Sequence, residues 1–156
     1  MPIIGQPRSY RKEYAYAVEI DGLEIAWFSK VSGLKRTVAV AEQHEAGVAR
    51  VANKSPSKVK YENVSMEVGA TDNRELWDWN ELVHRAAADS GAADDNYKKN
   101  FAVVERDRAG NELGRYNVFN AFPIEFDAGN FDATSEANRV QMVVLAIDYF
   151  EYQSAA

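Results

Sequence analysis

Short alternating runs of apolar and polar residues make up most of this chain, and a single stripe of helical period interrupts them. Tyr14, Tyr16, Val18 and Ile20 alternate with Ala15, Ala17 and Glu19, the period of a strand. Asp21-Gly22 follows, a pair suited to the positive φ angles of a two-residue hairpin turn. Leu23, Ile25 and Trp27 then alternate as the return strand, Ser32-Gly33 ends it, and a third strand is expected from Lys35 to about Gln43. Glu45 to Ser57 shows neither period and reads as a long loop, of a length usually functional or disordered. From Lys58 the alternation returns, with Val64, Met66 and Val68 on one face and Ser65 and Glu67 on the other, until Gly69.

The period then changes. Asp72 precedes Glu75 by three residues, the spacing of a capping box with Asp in place of Ser or Thr. Leu76, Trp79, Val83 and Ala86 follow at helical spacing and are expected to form the core contacts between helix and sheet. Trp77 lies off that stripe, either packed against a neighbour or an arm, or half-exposed on the helix shoulder. Gly91 is the expected helix stop. Beyond a polar loop to Lys99, strands are expected from Phe101, from Leu113 to Phe122 after a turn at Asp107–Asn111, and from Ile124 to Asp127. Pro123 marks a bend or an edge. Ala128 to Asn138 reads as a second loop, and Val140 to Tyr152 as one long last strand covered on both faces. The sum is a mainly β chain of seven or eight strands with one helix, without internal repeats.

At 156 residues the chain fits one domain, with residues 1–13 as an extended N-terminal arm. Its net charge of −6 argues against nucleic-acid binding through a basic surface, though not against a passive conduit for it. It has no cysteine, which excludes disulfides and thiolate metal sites. The N-terminus has no apolar core of a secretory signal, and no apolar run is long enough for a membrane span, so cytoplasmic synthesis without stable membrane insertion is expected.

Catalytic and cofactor patterns are missing. His44 and His84 have no metal ligands at useful spacing, and there is no nucleophile elbow, P-loop or dinucleotide fingerprint. Asp89, Asp94 and Asp95 do not follow the calcium-loop pattern, and Asn63-Val64-Ser65 matches a glycosylation acceptor inside an expected strand. No cofactor and no metal are expected, and the chain does not read as an enzyme.

Three segments together carry a resemblance: VEIDGLEIAWFSKVSGL (Val18–Leu34), KVKYENVSMEVGATDNRELWDW (Lys58–Trp79) and GRYNVFNAFPIEFDAGNFDATSEA (Gly114–Ala137). With the apolar last strand they cover roughly half the chain. In order and spacing the chain resembles the inner-tube protein of contractile injection systems, the group that includes myophage tail-tube proteins and the tubes of extracellular tail-like particles. The resemblance implies two packed antiparallel sheets with one flanking helix, six copies closed into a ring, and rings stacked as a hollow tube within a sheath. The haemolysin-coregulated tube protein of type VI secretion shares that fold. Implied partners are further copies of the chain, a sheath protein, baseplate or tube-initiator and tube-terminator proteins, and effector cargo or DNA in the lumen. The particle is a phage tail or a tail-like assembly, released outside the cell or anchored at a membrane. One departure is that the loop between the third and fourth strands, often rich in glycine and acids in the family, is here the basic Ala46–Ser57.

Charge placement adds a stacking expectation. Arg50, Lys54, Lys58 and Lys60 fall between Ala46 and Tyr61 with no acid among them. Asn120 to Ala156 holds six acids against Arg139 alone, a net of −5. The expected contacts between subunits or rings are therefore Arg50, Asn53, Lys54, Pro56, Lys58 and Lys60 on one side. On the other are Glu125, Asp127, Asp132 and Glu136. The alternative for both charge sets is an ordinary solvated face. Two other functions stay open: a baseplate tube initiator of the same fold, and a monomeric β-sandwich whose Tyr10, Tyr14, Tyr16, Tyr149, Phe150 and Tyr152 line a ligand site.

Overall fold

The computed structural model describes residues 10–20, 28–44, 52–70, 74–88 and 97–154. The elements in chain order are β1 (Tyr16–Ile20), β2 (Phe28–Ser32), β3 (Arg36–Gln43), β4 (Asn53–Tyr61), β5 (Val64–Gly69), α1 (Glu75–Ala88), β6 (Lys99–Arg106), β7 (Glu112–Asp127), β8 (Val140–Ala146) and β9 (Tyr149–Ser154). All strand pairing is antiparallel.

β7 organises the body. Its first part pairs with β6 and β9, and β6 pairs with β1; its second part pairs with β8, which pairs with β5 and then β2. Among the described residues one strand therefore belongs to two four-stranded layers. The passage between them is fixed at Asn120, whose φ of 54° is reached by few residues besides glycine. The Asn120 N–H donates to Asn100 Oδ1 at 3.0 Å, and its side-chain amide donates to Asp148 Oδ2 at 2.9 Å. Asp148 N–H in turn donates to the Phe119 carbonyl at 3.1 Å. Pro123 lies just past this corner, fully buried and beside a register shift, where its missing N–H is tolerated.

The two layers enclose one apolar core. Val18 and Ile20 of β1, Phe101 and Val103 of β6 and Val118 of β7 face Val64 and Met66 of β5 and Val143 and Leu145 of β8. α1 closes the flank. Trp79 is 1% exposed, and its indole N–H donates to the Tyr97 carbonyl at 2.5 Å, so the one polar atom of a large buried ring is satisfied. Leu76 and Val83 pack partly buried against this core, and Ala86 is half-buried. Glu75 and Asp78 in the first turn and Arg85 in the last complement the helix dipole. Trp77 is 42% exposed and meets Phe126 edge-to-face at 5.3 Å between ring centroids.

The structure corrects several expected boundaries. The run from Val140 to Tyr152 is two strands, β8 and β9, because the chain changes layers at Ile147–Asp148. β9 is largely exposed, so that run is not covered on both faces. The stretches expected on either side of Pro123 are one bent strand, β7. The loop expected from Glu45 to Ser57 is shorter at its C-terminal end, since Asn53 to Ser57 belong to β4. Its small polar residues carry no apolar period; pairing with β3, not propensity, makes them a strand. β1 begins at Tyr16, with Tyr14 in a turn before it. The Asp21-Gly22 turn, the return strand of Leu23, Ile25 and Trp27, the Asp72 cap, the Gly91 stop and the Asp89, Asp94 and Asp95 group lie outside the described residues.

Candidate assembly surfaces

Among the described residues β3 and β4 pair only with each other. They prolong β2 and β5 as a ribbon beyond the body, and every residue of β3 is exposed. The joint is built on Gly33, at φ +96°, whose Cα lies so close to the Asn63 carbonyl that a side chain has no room. Lys35 N–H donates to the Gly33 carbonyl at 2.7 Å, and Glu62 N–H donates to the Lys35 carbonyl at 3.0 Å. The ribbon's direction is thus set by backbone contacts at its base.

The ribbon has two unlike faces. Val38 opposes Val59, and Val40 opposes Pro56 across a bulge. Cross-strand partners share a face, and so do residues two apart on a strand, so all four lie together. Val38, Val40 and Val59 are 43%, 58% and 53% exposed. Thr37 opposes Lys60 and Ala41 opposes Ser55 on the other face. At the base, Tyr61 meets Phe150 edge-to-face at 5.4 Å, and Phe150 and Tyr152 both contact Tyr116.

Of the expected basic contacts, Lys54 lies 3.9 Å from Glu42 across the ribbon, and Lys60 lies 3.9 Å from Glu62. Their acids come from β3 and from the β4–β5 joint, which a count over Ala46–Tyr61 alone does not include. Asn53, Pro56 and Lys58 are exposed on β4, and Arg50 lies outside the described residues.

The acidic residues sit elsewhere. Glu125 and Asp127 are exposed on the last part of β7, and Asp132 and Glu136 are exposed in the 128–139 loop. Two of the four also build that loop. Asp127 Oδ1 accepts the Gly129 N–H at 2.9 Å. Asp132 Oδ1 accepts the N–H and the hydroxyl of Thr134, at 2.9 and 2.7 Å, and these bonds hold its pKa below the ordinary Asp value. In the middle of the loop Phe131 is 79% exposed, and the Arg139 guanidinium lies 4.5 Å from its ring centroid.

The basic and acidic sets are not brought together within one chain. The ribbon leaves the β2–β5–β8–β7 layer beside Ser32, Val64 and Leu145, whereas the 128–139 loop joins β7 to β8 beside Gly69, Asp127 and Val140. These are opposite ends of the same strands, about 17 Å apart over the length of β5. Sequence reasoning named the charges and missed the apolar residues between them. Val38 and Val40 carried an alternation signal; Phe131 stood alone in a loop and carried none.

The aromatic residues of the ligand-site alternative do not form one cage. Tyr149 stacks on Phe119 at 4.7 Å, and Tyr152 contacts Tyr116 and receives a hydrogen bond from Arg11 at 2.7 Å. Tyr10 and Tyr14 are 71% and 70% exposed. His44 is exposed after β3 and His84 is exposed on α1. Among the described residues no three metal-ligating side chains converge, and no helix is long and apolar enough to cross a membrane.

Two layers share one bent strand, with a helix on the flank and a ribbon projecting from one end, a mainly β architecture with exposed assembly surfaces. Comparison places it more narrowly. The family model of the T4-like virus tail tube protein gp19 matches residues 12–151, and the chain belongs to that family. Among curated proteins no match was found. Among solved structures, a chain of the sheath-tube complex of an extracellular contractile injection system is 27% identical, with a TM-score of 0.77 over 97% of this chain and 95% of that one. A chain from the tube-terminating cap of the anti-feeding prophage, 24% identical, shares the fold with a TM-score of 0.80 over 99% of this chain and all of that one. Hcp1 from Flavobacterium johnsoniae, 17% identical, shares it at 0.55 over 91% and 97%. The chain is thus a tail-tube protein, a structural subunit of the contractile-injection type.

Proposed function

We propose that six copies of this chain close into a ring and that the rings stack into the inner tube of a contractile injection particle. The tube is driven through a target envelope by sheath contraction and conducts or carries effector cargo or DNA. The observation that carries this reading is the projecting β3–β4 ribbon, exposed over Arg36–Gln43 and Asn53–Lys60 and, among the described residues, paired with no other strand. Edges support it as well. Among the described residues β1, β2 and β9 each pair on one side only, and joining such edges between copies removes them. A relative 27% identical is part of a sheath-tube complex and another of a sheath/tube terminator, which supports a sheath and a terminator as partners. A baseplate or initiator completes the set. No step of this function needs a catalytic group, and the particle is assembled from cytoplasmic subunits and then released or anchored.

In the tube, Lys54 and Lys58 of the ribbon face acidic surface of a neighbouring copy, with the charges setting register and orientation. The test is assembly. The purified chain with sheath and baseplate proteins should yield long tubes by negative stain. Lys54→Glu combined with Lys58→Glu should leave the subunit folded by circular dichroism and stop tube growth. A wild-type chain that stays near 17.5 kDa by light scattering under those conditions would sink the reading. Normal tubes from the double variant would sink the docking part alone.

A further inference from the structure

The charges at the two ends of the layer surround apolar residues, and those residues match as well. At one end the ribbon presents Val38, Val40 and Val59 on a single exposed face. At the other end Phe131 projects from its loop with Arg139 against its ring. The ribbon is edged by lysines and the loop by Asp132 and Glu136. We infer that Phe131 of one copy seats on the valine face of the ribbon of the next copy along the strand axis. This rests on the tube reading and names the contact within it.

Three observations select a second copy as the occupant. The two surfaces lie at opposite ends of one set of strands, so a copy can donate its ribbon and accept another along the same direction. A contact of that kind repeats head to tail without limit, which is what a stack requires. The charges are of opposite sign, so ribbon meeting ribbon or loop meeting loop is disfavoured. The loop is held before docking: Asp132 and Ser135 cap its turns, with Ser135 N–H donating to the Asp132 carbonyl at 3.2 Å and Ala137 N–H to Ser135 Oγ at 3.2 Å. An aromatic anchor on an ordered loop loses little entropy on binding.

The chain has no cysteine of its own, so an introduced pair reports this contact without background. Tubes of Val40→Cys/Phe131→Cys, mildly oxidised and run on a denaturing gel without reductant, should give a ladder of covalent multimers. Each single variant alone should give none. If the double variant does not assemble, the two single variants diluted together into excess wild-type chain should give a covalent dimer that neither gives alone. Phe131→Ser should remove stacks while leaving the subunit folded. The inference is overturned if intact tubes give no ladder and no mixed dimer. It is also overturned if Phe131→Ser grows tubes of wild-type length, or if the Phe131→Cys variant cross-links to sheath protein instead. Absence of tubes from the wild-type chain would be a failure of the proposed function, so the two are told apart.

Discussion

Gly33→Ala tests whether the ribbon's direction, and not only its composition, is needed. The new Cβ would collide with the backbone carbonyl oxygen of Asn63 and come within 3.3 Å of Asn63 C and Val64 Cα. These are backbone atoms of the β4–β5 joint and of the first residue of β5, so no side chain can swing away. The positive φ adds a conformational cost of about 1–2 kcal/mol for a residue with a Cβ. For a domain of this size that lowers Tm by roughly 2–8 °C, which leaves the body folded. The greater effect is geometric. β3 has eight residues and spans about 26 Å, so a tilt of about 10° at the joint moves its far end by about 4–5 Å. That is about the width of one strand spacing, enough to take the valine face off register. Gly110→Ala is the control. It sits at φ +85° in the β6–β7 turn with open space around it, so it bears the same conformational cost without displacing anything. Both variants should fold by circular dichroism, with the larger thermal shift in Gly33→Ala because its clash adds to the shared conformational cost. Only Gly33→Ala should lose tubes by negative stain. Wild-type tubes from Gly33→Ala would refute the reasoning, and so would equal loss of tubes from Gly110→Ala.

Two further outcomes follow from the packing and the titrating groups. Trp79→Ala should destabilise the fold by about 3–5 kcal/mol in urea unfolding, because it empties a core position that is 1% exposed and leaves the Tyr97 carbonyl without its indole donor; a loss under about 1 kcal/mol would contradict the assigned burial. Asp132 has its folded pKa depressed, so its contribution is present above the ordinary Asp value of about 3.9 and fades as pH falls through the lower folded value. Asp132→Ala should therefore lower Tm similarly at pH 7 and pH 5, with the gap from wild type closing in strong acid; a gap unchanged at low pH would show that the carboxylate charge is not involved.

The fold was legible wherever side chains are read by one partner layer. Val64 and Met66 alternate because they face a core on one side only, and the helical stripe through Trp79 follows from the same cause. Legibility failed where tertiary pairing decides. Asn53 to Ser57 form a strand because β3 lies beside them, and β8 and β9 divide at Asp148 because Asn120 and Phe119 hold that residue at the corner. An apolar run crossing from one layer to another looks unbroken in sequence. The surfaces were half legible. Lysines and acids stand out by composition, but pairing with Glu42 and Glu62 requires knowing the register. Phe131 gives no periodic signal at all, since a loop residue has no neighbours at fixed spacing.

The distribution of apolar residues explains why the body and the ribbon obey different rules. Among the described residues every residue in the buried core is apolar, and the two layers cover one another within one copy. A two-stranded ribbon with no third strand and no covering layer is marginal in water on its own. Among the described residues its valines are exposed and its outer edges are unpaired. A chain selected to remain alone would carry charges or proline along such edges to discourage pairing. β4 has three lysines that do not break the face formed by Val38, Val40, Pro56 and Val59, and the acids lie at the far end of the β2–β5–β8–β7 layer from which the ribbon projects. In the proposed docking the charges direct pairing toward one orientation instead of preventing it. In the proposed tube such an arrangement orients growth in one direction once a first ring presents its acidic end.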